Sequence, residues 1–166
     1  MTPKEFIKKY KPFALETERK TGISAIFILA QSALETGWGK RAPGNMMFGV
    51  KASVSTPAEK RQLVQTTEIF ATDKAKFPVI ISIEKRPDGK FKYTVKDWFR
   101  KYDSPEESFT DHANLFVNNK RYAKALLVRS DPYKFAEEVA KAGYATEPTY
   151  AERLKGVIRT IEKNDQ

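Results

Sequence analysis

A block of β-type sequence lies in the middle of a chain whose two ends have helical patterns. Three segments, at residues 63–70, 79–84 and 91–99, are rich in β-branched and aromatic side chains, as strands are. The last two segments are separated by Pro87-Asp88-Gly89, a sequence typical of a hairpin turn. Because a hairpin pairs its strands antiparallel, the block predicts a small antiparallel β lobe at about residues 60–102.

Helix start and stop signals flank this block on both sides. The start signals are capping boxes at residues 2–5 and 104–107, a capping serine at Ser24, and prolines at Pro132 and Pro148. Gly22 and Gly143 predict helix ends, and Pro12 is expected to kink or divide the first helix. The order of helices, strands and helices predicts one α+β domain over residues 1–166, with two unequal lobes and a cleft between them.

The absence of cysteine and the presence of a single histidine, His112, narrow the chemistry that is open to the chain. Disulfides, iron-sulfur clusters, thiol nucleophiles and cysteine-type zinc sites need cysteine, and catalytic zinc normally takes two or three histidines. A serine-type triad would have His112 as its one candidate base. We therefore expect carboxylate chemistry, with no metal and no cofactor. His112 itself is expected in a half-buried or exposed structural position, without a role in the chemistry.

Basic residues outnumber acidic ones by 30 to 21, which gives the chain a net charge of +9 and a pI near 9.6. This charge favours polyanionic partners, and nucleic acid and anionic cell wall both qualify. A solvated surface explains the charge equally well, because acidic residues are mixed with the basic ones. No segment has the roughly 18 apolar residues of a membrane span, and the N-terminus lacks the apolar core of a signal peptide. Release in the manner of a phage lysin and a missing upstream segment are both open.

Glu35 is the first candidate for a catalytic side chain. It ends the apolar helix predicted for residues 25–35 and precedes Thr36-Gly37-Trp38-Gly39. The partial negative charge at a helix C-terminus and apolar or aromatic surroundings are both expected to raise the pKa of its carboxyl. A protonated glutamate can be the general acid of glycoside cleavage, which also needs a second carboxylate or the substrate's own acetamido group. The alternative is a glutamate in a last helical turn that only faces solvent.

Four sequence motifs follow one another along nearly the whole chain. They are Ala30-Gln31-Ser32-Ala33-Leu34-Glu35-Thr36-Gly37-Trp38-Gly39-Lys40; Asn45-Met46-Met47-Phe48-Gly49-Val50-Lys51; Phe99-Arg100-Lys101-Tyr102-Asp103-Ser104 with Glu107-Ser108; and Ala142-Gly143-Tyr144-Ala145-Thr146 with Pro148 and Tyr150. Together they resemble the glucosaminidase domains of glycoside hydrolase family 73, which include flagellum-associated wall hydrolases, autolysins and phage lysins. The resemblance implies a lysozyme-like fold, in which a mostly helical lobe and a small β lobe flank a substrate groove. It also implies hydrolysis, without a metal, of the β-1,4 bond after N-acetylglucosamine in peptidoglycan.

The resemblance implies roles for individual residues as well. Glu35 matches the general acid, and Glu68 matches the segment that holds the second carboxylate. Tyr144 matches an active-site tyrosine, whose phenol can hydrogen-bond the substrate acetamide or orient the attacking group. The residues expected to bind substrate are Trp38, Asn45, Phe48 and Tyr150. The structural alternatives are a Glu68 that faces solvent, a Trp38 in the core and a packed Tyr150.

Other functions stay open at this point. A muramidase of the same fold would cut the other glycan bond, and a non-catalytic domain would bind glycan without cutting it. A nucleic-acid-binding module is less favoured because the chain has no motif for one. The expected partner is the peptidoglycan glycan strand, bound by a monomer at the cell wall, in the periplasm or outside the cell. Retaining, inverting and substrate-assisted routes are all open, because they differ in the separation of the two carboxyl groups.

Overall fold

The computed structural model describes residues 1–166, which form two compact units. The helical unit consists of Met1–Phe48 and Asp103–Gln166, and the β unit of Gly49–Tyr102. Helices predominate, and the strands form a single three-stranded antiparallel sheet. The α+β fold class predicted from the sequence is therefore confirmed.

Six α-helices make up most of the helical unit. They are α1 (Pro3–Thr21), α2 (Ala25–Thr36), α3 (Pro105–Asn118), α4 (Ala123–Leu126), α5 (Pro132–Lys141) and α6 (Tyr150–Asn164). The capping box at the start of α1 forms as predicted: Thr2 Oγ1 accepts from the Glu5 amide at 3.2 Å, and Glu5 Oε2 accepts from the Thr2 amide at 2.8 Å. Pro12 does not divide the first helix, because α1 continues through it as one helix; that part of the prediction is wrong.

Helix α2 forms the centre of the helical unit, and nine of its twelve residues are buried. Phe27 packs edge-on against Phe116 of α3 and Phe135 of α5, with ring centroids 6.1 and 4.6 Å apart. Leu154, Ile158 and Ile161 of α6 recur at helical spacing and are fully buried, so one stripe of that helix faces the core. This packing fixes the direction of α2 and therefore the place where its C-terminal turn emerges.

The β unit contains the strands β1 (Arg61–Phe70), β2 (Val79–Lys85) and β3 (Phe91–Arg100), in the sheet order β1-β3-β2. The turn predicted at residues 87–89 joins β2 to β3, and Gly89 takes its left-handed position with φ +83°. Tyr93 of the central strand is fully buried, and its hydroxyl donates to the Thr72 carbonyl at 2.6 Å. That bond anchors the connection between β1 and β2 to the sheet.

The described residues contain neither a membrane-spanning helix nor a cluster of metal-ligating side chains. No helix has both the length and the apolar character that a bilayer crossing requires. No group of three or more histidine, cysteine, aspartate or glutamate side chains comes close enough together to hold a metal ion.

Candidate active site

Glu35 lies in the last turn of α2, at a helix end that is tightly determined. Gly37 terminates the helix with a left-handed φ of +59°, and the Trp38 amide donates back to the Ala33 carbonyl at 2.8 Å. The Thr36 hydroxyl donates to the Ser32 carbonyl at 2.7 Å and accepts from the Gly39 amide at 2.8 Å. The backbone around Glu35 is therefore held on both sides, while its own side chain projects from a rigid helix.

The surroundings of Glu35 differ from those expected from the sequence. Its side chain is exposed, although the residues before it in α2 are almost all buried. Apolar side chains therefore do not exclude water from this carboxylate in the free protein, and that part of the sequence-based prediction is wrong. The reason is the position in the helix: the buried stripe of α2 ends at Ala33 and Thr36, and Glu35 falls on the opposite side.

Two tyrosines, Tyr144 and Tyr150, lie close enough to Glu35 to interact with its charge. Burial raises the pKa of Tyr144, and the neighbouring Tyr150 and Glu35 add to the effect. Burial also raises the pKa of Tyr150 to about 12; a hydrogen bond from Gln31 opposes the shift and the charge of Glu35 adds to it. Their rings stack with centroids 5.6 Å apart. Both phenols are therefore protonated at neutral pH, and each has a hydroxyl that can donate.

Tyr150 is placed differently from its predicted role. It is only 9% exposed, and its hydroxyl accepts a hydrogen bond from Gln31 Nε2 at 2.9 Å. Gln31 precedes Glu35 by one helical turn on α2, so this bond ties Tyr150 to the helix that holds the carboxylate. The prediction that Tyr150 binds substrate is corrected accordingly. The Tyr150 ring stacks against the ring of Tyr144, and Tyr150 has little exposed surface left for a sugar.

His112 is the residue that the sequence reasoning missed. It is 7% exposed, so the expected half-buried or exposed position is wrong. Its Nε2 lies 2.9 Å from the hydroxyl of Tyr144. Burial lowers the pKa of His112 to about 3, so the imidazole is neutral at any pH near neutrality. The helical pattern contains the signal for its burial, since Phe109, His112, Ala113 and Phe116 share one face of α3.

Phe48 also differs from its prediction as a sugar-stacking residue. It is 4% exposed, and its ring lies flat on the His112 imidazole with centroids 3.7 Å apart and an interplanar angle of 9°. The face that was expected to stack on a pyranose is thus occupied by His112, and burial leaves no open face for a sugar. We correct this prediction: Phe48 holds the imidazole in place.

Trp38 and Asn45 lie in the loop that follows α2, and both have a left-handed backbone conformation. Trp38 has φ +59°, a value that bulky L-residues rarely adopt, whereas Asn45 has φ +56°, which asparagine adopts more readily. The Trp38 indole packs edge-on against the fully buried Phe6 of α1, with centroids 5.6 Å apart. Trp38 and Asn45 are themselves half-buried. Their substrate-binding role stays a prediction, which their partial exposure permits.

Glu68 lies on β1 in the β unit, where Lys51 and Asp97 complete a small charged cluster. Lys51 Nζ is 3.0 Å from Glu68 Oε1 and 3.2 Å from Asp97 Oδ2. Burial opposes the charge on Lys51, but the hydrogen bonds that Lys51 donates to Glu68 and Asp97 outweigh it, so the pKa of Lys51 is raised. Glu68 is thus an ion-paired strand residue rather than one that points freely into solvent. Sequence reasoning did not find Lys51 and Asp97 as partners of Glu68, because the cluster depends on the pairing of β1 with β3 and on the bridge between Lys51 and Phe99.

Comparison with known proteins gives consistent matches over almost the whole chain. The family model described as mannosyl-glycoprotein endo-beta-N-acetylglucosaminidase matches residues 11–163. The chain is 32% identical over 167 residues to the peptidoglycan hydrolase FlgJ of Vibrio parahaemolyticus, an alignment that covers 97% of this chain and 48% of that protein. The chain therefore spans about half the length of the curated relatives it matches.

Solved structures of similar proteins share the fold. The glycoside hydrolase domain of FlgJ from Salmonella typhimurium superposes with a TM-score of 0.73 at 30% identity, covering 99% of this chain and 91% of that one. The peptidoglycan hydrolase from Sphingomonas sp. A1 gives a TM-score of 0.65 at 30% identity and covers 97% and 92% of the two chains. These neighbours agree with the lysozyme-like fold expected from the sequence.

Proposed function

This chain belongs to the glucosaminidase family, and from that membership we propose that it hydrolyses the β-1,4 bond after N-acetylglucosamine in the glycan strands of peptidoglycan. One observation carries the proposal furthest. Glu35 is an exposed carboxyl group on a rigid helix end, within range of two protonated tyrosines, the half-buried Tyr144 and the buried Tyr150. A general acid that must reach a polymer needs such a position, because a fully enclosed carboxyl cannot meet a long glycan strand.

Glu35 delivers the proton to the glycosidic oxygen as the bond to the anomeric carbon breaks. In the free protein its carboxyl is in contact with water. A glycan strand that covers this surface displaces that water, which is the condition under which a carboxylic acid keeps its proton until transfer. Tyr144 supports the step by hydrogen bonding, since its phenol keeps its proton and can donate to the acetamido carbonyl of the sugar or accept from its amide.

Glu68 is the proposed second carboxylate. It would activate the attacking water or form the glycosyl intermediate, depending on the route. Lys51 contacts Glu68 at 3.0 Å and so restricts the positions that its carboxylate can take. The alternative is that the 2-acetamido group of the substrate attacks the anomeric carbon. A Glu68→Gln variant separates these routes, because loss of an essential base or nucleophile lowers kcat about 10²-fold or more, whereas a substrate-assisted route tolerates the change.

The charge distribution supports a polyanionic wall as the partner. Residues 49–102 hold 12 lysines and arginines against 6 aspartates and glutamates, so this third of the chain carries +6 of the net +9. Peptide stems and wall polymers carry carboxylates or phosphates, and charge of this sign raises the rate of encounter with them. We propose that the protein acts on the wall, in the periplasm or outside the cell.

The test is release of new reducing ends from purified peptidoglycan by the wild type and a Glu35→Gln variant. We expect Glu35→Gln to lower the rate about 10³-fold, as loss of a general acid does, with an unchanged melting temperature. Glu152→Gln on α6 is the matched control, because it removes the same charge from an exposed position, and its rate should equal that of the wild type. A Glu35→Gln variant with full activity contradicts the proposal. A wild type that binds wall but releases no ends supports a glycan-binding domain instead.

A further inference from the structure

The imidazole of His112 is buried among aromatic rings. An apolar side chain at this position would avoid the desolvation cost that a polar ring incurs. Phe48 covers one face at 3.7 Å, and Phe116 meets it edge-on with centroids 5.2 Å apart. A buried polar ring lowers stability unless its nitrogens are hydrogen-bonded. The Nε2 atom of His112 lies 2.9 Å from the hydroxyl of Tyr144, a residue with a proposed role in substrate binding. The geometry thus links the single histidine to a proposed substrate contact.

Tyr144 needs such a partner because it does not lie on a helix. It belongs to the connection between α5 and α6, and it directly follows Gly143, which has φ +88°. Its amide donates to the Val139 carbonyl at 3.3 Å. Its ring stacks on Tyr150 at 5.6 Å, which fixes the plane of the ring. Stacking does not fix the direction of the hydroxyl hydrogen, and a hydrogen bond to the hydroxyl is needed for that.

His112 is better placed than a surface group to supply that bond. It lies on α3, a helix whose start is fixed by Ser104, and its ring is held by Phe48 on one side. Burial keeps the imidazole neutral, so the character of the bond does not change with pH in the working range of a wall hydrolase. When a fixed imidazole occupies one of the hydrogen-bonding sites of the phenol hydroxyl, the remaining donor or acceptor sites of that hydroxyl point in fixed directions.

We propose that His112 is a positioning residue for Tyr144, and that it holds the phenol hydroxyl in the orientation in which it meets the acetamido group of the substrate. The inference rests on the proposed function, since Tyr144 contacts substrate only there. Phe48 belongs to the same arrangement as the ring that keeps His112 in place. Phe48 thus holds His112, His112 orients Tyr144, and Tyr144 contacts the sugar.

The test is a double-mutant cycle between His112 and Tyr144, with kcat and KM measured on soluble peptidoglycan fragments. His112→Phe keeps an aromatic ring but removes the bond to the hydroxyl, and we expect about a tenfold loss of kcat/KM, equivalent to about 1.4 kcal/mol. His112→Gln restores a hydrogen-bonding group and should recover part of the loss. In a Tyr144→Phe background the His112 changes should have no further effect, because the hydroxyl through which they act is absent.

Equal losses in both backgrounds overturn the proposal, since they indicate that His112 acts on the core and not through Tyr144. Full activity of a folded His112→Phe variant overturns it as well. Thr17→Val is the matched control: it removes the 2.8 Å hydrogen bond between the buried Thr17 of α1 and the half-buried Thr110 of α3, the helix that holds His112, and should leave kcat/KM unchanged. If instead Glu35→Gln is fully active, the proposed function fails while the contact itself can still be tested.

A readout without catalysis tests the contact directly. His112 is the only histidine, so its ring nitrogens give one unambiguous set of ¹⁵N signals. We expect Tyr144→Phe to shift the signal of Nε2, because the hydrogen bond is lost, while Thr17→Val leaves it in place. Unchanged nitrogen shifts in a folded Tyr144→Phe protein would mean that the bond is absent in solution, which overturns the positioning role whatever the enzyme does.

Discussion

Mild acid is expected to destabilise this protein through His112. Burial sets the pKa of His112 at about 3 in the folded protein, whereas an exposed histidine has a pKa of about 6.5. Between these two pH values the unfolded chain binds one more proton than the folded chain. The free energy of unfolding therefore falls as the pH is lowered through this window, and above about pH 6.5 the contribution of His112 is fully present.

The magnitude follows from the linkage of a single proton. Well below pH 6.5 the slope is about 1.4 kcal/mol per pH unit, so a change from pH 7.5 to 5.0 should lower the free energy of unfolding by about 2 kcal/mol. In a chain of this size that corresponds to a fall in melting temperature of about 4–8 °C. Carboxylates whose pKa is lowered, such as Glu106 and Glu147, lose their contribution only at lower pH. The window from pH 7.5 to 5.0 therefore isolates the histidine.

Urea unfolding at several pH values measures the effect, and His112→Gln is the comparison because glutamine does not titrate. The variant should start from a lower stability and show almost no slope between pH 7.5 and 5.0. If the wild type and the variant lose the same stability over this range, another group is responsible and the account of a buried neutral imidazole is refuted.

Four further substitutions test other parts of the structure. Gly22→Ala should lower the free energy of unfolding by about 1–2 kcal/mol, because φ is +77° there. Gly156→Ala inside α6 should raise it by about 0.5–1 kcal/mol. Thermal melting shows whether each variant is less or more stable than the wild type. Tyr93→Phe should lower the free energy of unfolding by about 1–2 kcal/mol and increase hydrogen exchange in residues 71–78, because the Thr72 carbonyl loses its donor. Lys51→Met should lower kcat about tenfold with a smaller effect on melting, because Glu68 loses the cation that restricts it; an unchanged kcat would argue against that role.

Local signals in the sequence account for most of the fold. Thr2, Ser24, Ser104 and Asp131 each accept a hydrogen bond from a first-turn amide, as their residue types predict, because capping depends only on neighbours within three positions. The hairpin at residues 87–89 follows from its turn residues in the same way. Pro12 shows the limit of such reasoning, since tertiary packing of α1 outweighs the local preference.

The candidate site was harder to predict because it depends on contacts between distant segments. The exposure of Glu35 is set by the rotation of α2 in the core, which the run of apolar residues before it does not reveal. The burial of Phe48 and Tyr150 and the hydrogen bond of His112 join residues that are far apart in the chain. The family motifs include Phe48 and Tyr150, but His112 lies outside all four of them. A motif also does not distinguish a side chain that touches substrate from one that supports its neighbour.

The most direct test of the central claim is the chemical identity of the ends that the protein creates. Purified peptidoglycan is digested with the wild type and with Glu35→Gln, the products are reduced with borohydride, and the fragments are analysed by mass spectrometry. The account predicts reduced N-acetylglucosamine ends from the wild type and none above background from the variant. Reduced N-acetylmuramic acid ends, or N-acetylglucosamine ends that persist in Glu35→Gln, would contradict it.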